Sequence, residues 1–302
     1  MRQPERFVCV GSLNVDITFP VERLPEEHEK LRCDGALISQ GGSAANTAHW
    51  LARLGHATVM LGCVGDDAFG SVAVAALAAV GVDTRHIQRT TQAATGLAAV
   101  FAGPAGKRMV TSGGANACFD PGQAPAELFS PGTHLHVATP LAGIAHPLLR
   151  LAKSRGATTS CDLDLGPPTD WLPWLDIGFV NHTELARWLG TDDPEQAWNR
   201  LQAPANFSLV VTLGAHGAAA WNRDGGTAVP AAAVDVVDRT GGGDAFDAGY
   251  LHALGRSEAE RLRCGLDLAA QVIARRGARP EAVEPACLCP SAQPHRHAMP
   301  AP

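Results

Sequence analysis

Residues 7–11 (FVCVG) form a short apolar run stopped by glycine, the pattern of a strand buried on both faces. Similar runs at 57–64, 133–138, 157–162, 177–180 and 207–213 predict further strands. Helical stretches at 143–154, 182–189 and 194–202 alternate with the later ones. That alternation predicts βαβ units and a mostly parallel sheet, so the fold class is α/β. In SQGGSAANTAHWLARLGH a glycine pair opens an Ala-rich helix that closes at Gly55, a C-cap, and residues 68–80 predict a second helix ending at Gly81. Segments 15–19, 35–39, 86–90, 96–102 and 108–112 are short and β-leaning, with a turn at Gly103-Pro104-Ala105-Gly106. Residues 217–230 predict a hairpin turning at Asp224-Gly225-Gly226, and helices at 243–254 and 258–275 complete the core.

Length and composition narrow the picture. A chain of 302 residues suits one large α/β domain or a domain with an appendage, over residues 1–285, with 286–302 as a disordered tail. That tail is proline-rich and aperiodic. Its Cys287, Cys289, His295 and His297 could ligate metal, but structural zinc sites need an ordered frame and tighter spacing. Aromatic residues are only 5% and there is one tyrosine, poor material for stacking single-stranded nucleic acid. A net charge of −6 leaves no global basic footprint for nucleic acid or an anionic membrane. Six of the eight cysteines are scattered singly, which reads as reduced and mostly buried thiols in a cytoplasmic protein. No signal peptide or membrane span is expected.

The most informative segment is VVDRTGGGDAFDAGYLHAL, 236–254. Gly241, Gly242 and Gly243 let successive N–H groups approach a ligand. The helix that follows adds unpaired N–H groups and a positive dipole end, so the segment can form an anion hole for a transferring phosphoryl group. Asp244 at that helix start is either an N-cap or a general base for a substrate hydroxyl. Gln40-Gly41-Gly42-Ser43-Ala44-Ala45-Asn46 also opens a helix but is neither a Walker P-loop nor a dinucleotide fingerprint. Asn14 and Asp16 follow the first strand, where α/β sheets bind ligands, or form an Asx-turn pair. Asn181 and Glu184 can hold hydrated Mg²⁺ against phosphates, or simply decorate a helix N-terminus. Thr212, Gly214 and Gly217 suit a nucleotide lying against backbone, or a hairpin turn. The histidines form no metalloprotease motif, and no serine-hydrolase elbow is present.

The combination resembles the ribokinase (PfkB) family of carbohydrate and nucleoside kinases over about residues 7–285. QGGSAANTAHWLARLG (40–55) is similar to the family's N-terminal signature, and DRTGGGDAFDAGYL (238–251) to its specific C-terminal one. GSLNVD, CVGDDAFG, NHTEL, VVTLGAHGAA and RRGA follow in the expected order. The resemblance implies a ribokinase-like three-layer sandwich, with a mostly parallel central sheet and a small β lid from about 15–39 and 94–112. It implies that Asp244 deprotonates a hydroxyl attacking the γ-phosphate of ATP, with the N–H groups of Gly241 to Asp244 stabilising the charge. Asn14, Asp16, Gly42 and Asn46 would bind substrate; Asn181, Glu184, Thr212, Gly214 and Gly217 would bind ATP, with Glu184 placing Mg²⁺ through water. Asp238 and Thr240 match positions that bind a monovalent cation such as K⁺ in some members, and members often form homodimers through the lid.

Two departures matter. Ser43 replaces the lysine typical of ribokinases, and the segment His136 to Pro140 lacks their sugar-binding glutamate. The reading is therefore a kinase for a primary hydroxyl of a sugar or sugar-like molecule. The alternatives are a nucleoside kinase and a catalytically silent ligand-binding regulator, which the intact Asp244 and glycine run count against. Arg239 either touches nucleotide phosphate or faces solvent.

Overall fold

The computed structural model describes residues 1–103, 106–138, 142–164, 166 and 169–283. Pro104, Ala105, Thr139, Pro140 and the Cys/His tail lie outside the described residues. The elements in chain order are β1 (Arg6–Gly11), β2 (Asn14–Pro20), β3 (Leu37–Gly41), α1 (Ser43–Arg53), β4 (Ala57–Gly65), α2 (Ala68–Ala79), β5 (Ile87–Thr90), β6 (Gly96–Gly103) and β7 (Gly106–Ser112). They continue as β8 (Thr133–Ala138), α3 (Ala142–Ser154), β9 (Thr158–Asp162), β10 (Ile177–Asn181), α4 (His182–Leu189), α5 (Pro194–Leu201), β11 (Ser208–Thr212), β12 (Ala218–Asn222), β13 (Gly225–Val229), α6 (Gly242–His252) and α7 (Glu258–Ile273).

Nine strands form one sheet in the order β13-β12-β11-β10-β9-β8-β1-β4-β5, parallel from β11 to β5. The unbroken apolar run of β1 has its reason here. Phe7 and Cys9 enter one core with α1, α6 and α7, while Val8 and Val10 enter another with α3, α4 and α5. A strand covered on both faces has no polar side to show. The result is a three-layer α/β/α sandwich. Strand order reverses at β1, which has β4 on one side and β8 on the other. Ligands of such sheets bind beyond the carboxyl ends at that switch point.

The β-leaning segments separate in a way the pattern alone did not specify. β5 joins the edge of the large sheet, whereas β3-β2-β6-β7 form a second, four-stranded sheet. β2 pairs with β6 in parallel and the two outer pairings are antiparallel. The hairpin turn differs by one position from the expected one. Asn222 pairs with Gly225, so Arg223 and Asp224 form the loop, fixed by the Asp224 N–H donating to Asn222 Oδ1 at 2.8 Å. Five of the singly placed cysteines (Cys9, Cys33, Cys63, Cys118, Cys161) are free thiols, but Cys264 is disulfide-bonded, so the expectation of six reduced thiols fails at that position. No helix among the described residues is long and apolar enough to cross a membrane.

Candidate active site

Two helix starts meet at the switch point. α6 begins after Gly241, whose φ of 74° is left-handed, and a Cβ there would lie 2.5 Å from the Ala278 Cβ. Only glycine meets both demands. Gly242 N–H donates to the Arg239 carbonyl at 3.3 Å. The N–H groups of Gly243 and Asp244 fall in the first turn, where no intrahelical acceptor exists. A Cβ on Gly243 would meet nothing within 4 Å, so the helix start is open on the side where that Cβ would lie. At the start of α1, Gly42 has a φ of 92°, and a Cβ there would lie 2.4 Å from the Ser12 carbonyl. The two helices touch through Thr47, whose hydroxyl lies 3.4 Å from the Asp244 carbonyl oxygen.

Asn46 on α1 joins three parts of the site. Its Nδ2 donates to Asp244 Oδ2 at 2.7 Å, and its Oδ1 accepts from Arg279 Nε at 2.7 Å. Arg279 also donates to the Gly41 carbonyl at 3.1 Å. Burial pushes the Asp244 carboxyl up to about 6, against hydrogen bonds from Asn46 and Ser43 and the Arg279 charge. A carboxylate poised near neutrality is suited to accept a hydroxyl proton. Burial pulls Arg279 down to about 10, while Asp244 and Asp16 favour its charge. Ser43 bonds the same carboxylate, and Arg279 brings a cation to it from the far end of the chain.

β2 carries Asn14 and Asp16 toward this centre. Asn14 Oδ1 accepts from Asn116 Nδ2 at 2.7 Å, and Asn116 Oδ1 accepts from the Leu13 N–H at 2.9 Å. The Asp16 carboxylate lies over Gly41, where a Cβ would come within 2.4 Å of Oδ1. Burial raises Asp16, opposed by the charges of Lys107 and Arg279. Asp238 and Thr240 form a tight turn just before the glycines: Thr240 Oγ1 donates to Asp238 Oδ1 at 2.6 Å, and Gly277 N–H donates to Oδ2 at 3.0 Å. Lys107 at the start of β7 reaches this turn, bonding Thr240 Oγ1 and lying 3.7 Å from Asp238 Oδ1. Arg239 is exposed.

A second group sits at the ends of β9, β10 and β11. Asn181 caps α4 by accepting from the Glu184 N–H at 2.9 Å, and its Nδ2 lies 3.5 Å from Asp164 Oδ1. Glu184 pairs with Arg187 at 2.5 Å. Thr212 ends β11, and its carbonyl meets His182 Nδ1 at 3.3 Å. Gly214 and Gly217 form the turn that follows, closed by Leu213 N–H to the Gly217 carbonyl at 2.7 Å. The two groups meet through Asp164, whose charge raises Asp244 and which is itself raised by the charge of Glu184. Asp247 is buried and Asp162 at the end of β9 is partly buried, and desolvation pushes both well above the ordinary carboxylate range. His136 Nε2 is buried without a hydrogen-bond partner, 3.8 Å from Asp247 Oδ2. No three metal-ligating side chains come together among the described residues.

Asp244, Asn46 and Gly42 thus share one centre with Asp16, while Asn181, Glu184, Thr212, Gly214 and Gly217 share the adjoining edge. Sequence reasoning missed Arg279, Asn116, Lys107 and the acids Asp162, Asp164 and Asp247. Arg279 directly follows the RRGA segment, and that was the only signal for it.

An open hole of helix-terminal N–H groups beside a raised carboxylate, set at the switch point of a ribokinase-like sandwich, defines a phosphotransferase with an alcohol acceptor. The family model of pfkB carbohydrate kinases matches residues 4–285, and the chain belongs to that family. It is 28% identical to a ribokinase of Haemophilus influenzae, covering 89% of this chain and 92% of that one. It is 30% identical to an ATP-dependent ribose-1-phosphate kinase of Halopiger xanaduensis, covering 82% and 83%. Its fold is similar to that of the Arabidopsis thaliana ribokinase complexed with ribose and ATP, with a TM-score of 0.82, 28% identity and coverage of 92% and 95%.

Proposed function

We propose that the protein transfers the γ-phosphate of ATP to a primary hydroxyl of a sugar or sugar-like molecule, with Asp244 as base. The observation that carries this reading is the Asp244 carboxylate, pushed up to about 6 and oriented by Asn46, at the mouth of the glycine-lined helix start. Substrate hydroxyls would be held by Asn14, Asp16 and Asn46, with the backbone at Gly42 against the substrate. In-line attack places the reacting oxygen near Asp244, which takes its proton, while the Gly243 and Asp244 N–H groups meet the charge on the transferring group. The second sheet, acting as a lid, would exclude water from this centre.

The nucleotide would lie along Thr212, Gly214 and Gly217, with its phosphates toward Asn181. Mg²⁺ would supply charge neutralisation on those phosphates. The oxygen donors fit it, since Glu184 is a half-buried carboxylate with one oxygen outside its Arg187 pair. With no three-ligand cage among the described residues, Glu184 would hold the ion through water, as Mg²⁺ prefers. Leu37, Ile38, Met109 and Val110 are 55%, 60%, 54% and 69% exposed on the outer strands of the second sheet, which supports a homodimer formed through it. The five free thiols support a cytoplasmic setting, while the disulfide at Cys264 counts against it.

The test is ADP release with ATP and Mg²⁺ against ribose, fructose, 2-keto-3-deoxygluconate, tagatose phosphate, adenosine, inosine and cytidine. Turnover on a sugar supports the reading, and turnover only on a nucleoside replaces it with a nucleoside kinase. Silence with ATP still binding would favour a ligand-binding regulator.

A further inference from the structure

The Asp238–Thr240 turn presents oxygen atoms suited to a cation, and it already faces one. Both the N–H and the hydroxyl of Thr240 are turned onto Asp238 Oδ1, at 3.0 and 2.6 Å. The Gly277 N–H occupies Oδ2. What remains outward is a lone pair on Thr240 Oγ1 and the outer side of Oδ1. The Lys107 ammonium bonds the first and lies 3.7 Å from the second. The contact spans 133 residues of sequence and joins the second sheet to the loop that leads into Gly241. Lys107 is the ion-pair partner of Asp238 among the described residues.

This donor set does not fit a free monovalent ion while Lys107 is in place. A potassium ion needs oxygens around it, and here it would share two of them with a like charge within 4 Å. An ammonium carries the same single charge and brings three directional donors on a flexible stem. We infer that Lys107 is a tethered cation. It replaces a free monovalent ion at the turn preceding the anion hole, so phosphoryl transfer in this protein does not require K⁺.

The tether has a consequence that a free ion lacks. The turn it neutralises runs directly into Gly241, whose backbone aims the first N–H groups of α6 and sets Asp244. Because Lys107 sits on β7, its contact ties the second sheet to the turn. Lys107 is thus a positioning residue: it acts on the anion hole through the Asp238–Thr240 turn. The rate arm of its test rests on the kinase reading; the binding arm does not.

The experiment compares wild type, Lys107→Met and Lys107→Arg in choline chloride, NaCl, KCl and NH₄Cl at equal ionic strength. Turnover and thermal unfolding are both followed. Wild type should turn over equally in choline and KCl and melt at the same temperature in both. Lys107→Met should lose about tenfold or more in choline and recover in KCl or NH₄Cl. Its melting temperature should rise by about 2–4 °C with K⁺ over choline. Lys107→Arg should stay insensitive to the cation. Wild-type turnover or melting that depends on K⁺ over choline would overturn the proposal. So would a folded Lys107→Met that K⁺ neither stabilises nor rescues. If Lys107→Met does not fold, the wild-type cation series decides alone. If no substrate is turned over, the melting series still decides.

Discussion

The carboxamide of Asn46 donates to the Asp244 carboxylate and accepts from Arg279, each at 2.7 Å. An asparagine has one donor end and one acceptor end, so a carboxylate on one side and a guanidinium on the other fix its orientation. The relay holds Asp244 in one position and brings a positive charge within its field. That charge opposes the burial that pushes the carboxyl up to about 6.

A base must be unprotonated, so kcat/KM should rise with pH through about 6 and level off above it. Arg279→Met removes the charge that favours the carboxylate, and the acid limb should move to higher pH. The measurement is a kcat/KM profile from pH 5 to 9 on whichever substrate the panel identifies. A limb that stays in place in a folded Arg279→Met protein would show that Asp244 does not govern it.

The same shift makes a statement about stability. The unfolded Asp244 carboxyl loses its proton near the ordinary 3.8, and the folded one near 6. Between those values the folded state binds more protons, so this group's contribution falls as pH rises from 4 to 6. Above 6 the folded protein carries a partly buried, desolvated anion at a cost on the order of 1–3 kcal/mol. Asp244→Asn should therefore melt higher than wild type at pH 8, with the gap closing toward pH 4. It should also lose about 10²–10⁴-fold in kcat while keeping ATP affinity. A variant that is less stable at pH 8, or nearly as active, argues against a buried catalytic base.

Part of this site is legible in one dimension because its constraints are local. A left-handed Gly241, a helix start and an acid in the first turn follow one another along the chain, and so do Asn181 and Glu184. Arg279 and Asn116 are different. Each reaches its partner across more than 100 residues, Arg279 to Asn46 and Asn116 to Asn14, and nothing in the flanking residues marks the meeting. The fold divides the same way. Apolar runs on β1 reveal burial on two faces, but β5 and β6 look alike as short β-leaning segments. Which joins which sheet depends on pairing partners: β4 for the first, and β2 and β7 for the second. The hairpin turn slipped by one position because an asparagine side chain, rather than a glycine pair, fixes it.

The three glycines before Asp244 are not equivalent. Gly241→Ala combines a left-handed φ with a Cβ 2.5 Å from the Ala278 Cβ. It should destabilise by roughly 1–3 kcal/mol, read as a lower melting temperature. Gly243→Ala faces open space within a helical turn, where alanine is the better former. Its melting temperature should hold or rise, while kcat/KM falls because the new methyl occupies the phosphoryl space. Full activity in Gly243→Ala would place the transferring group elsewhere.

Glu184 offers the last test, because two of its neighbours make opposite demands. Arg187 pairs with it at 2.5 Å, but the arginine side chain is 70% exposed, so the pair adds little stability. Asp164 adds negative charge to the same side. A carboxylate held between them can accept a hydrated Mg²⁺ without dissolving a costly buried pair. Glu184→Gln keeps the shape and removes the charge. The Mg²⁺ concentration for half-maximal rate should rise several-fold, with melting temperature nearly unchanged. Arg187→Ala should change stability by no more than about 0.5 kcal/mol and leave the Mg²⁺ requirement the same or lower, since it frees the carboxylate. Mg²⁺ titrations at fixed ATP on the three proteins decide the matter. If Glu184→Gln titrates like wild type, the ion is held by phosphates and water alone, and Glu184 serves only the start of α4.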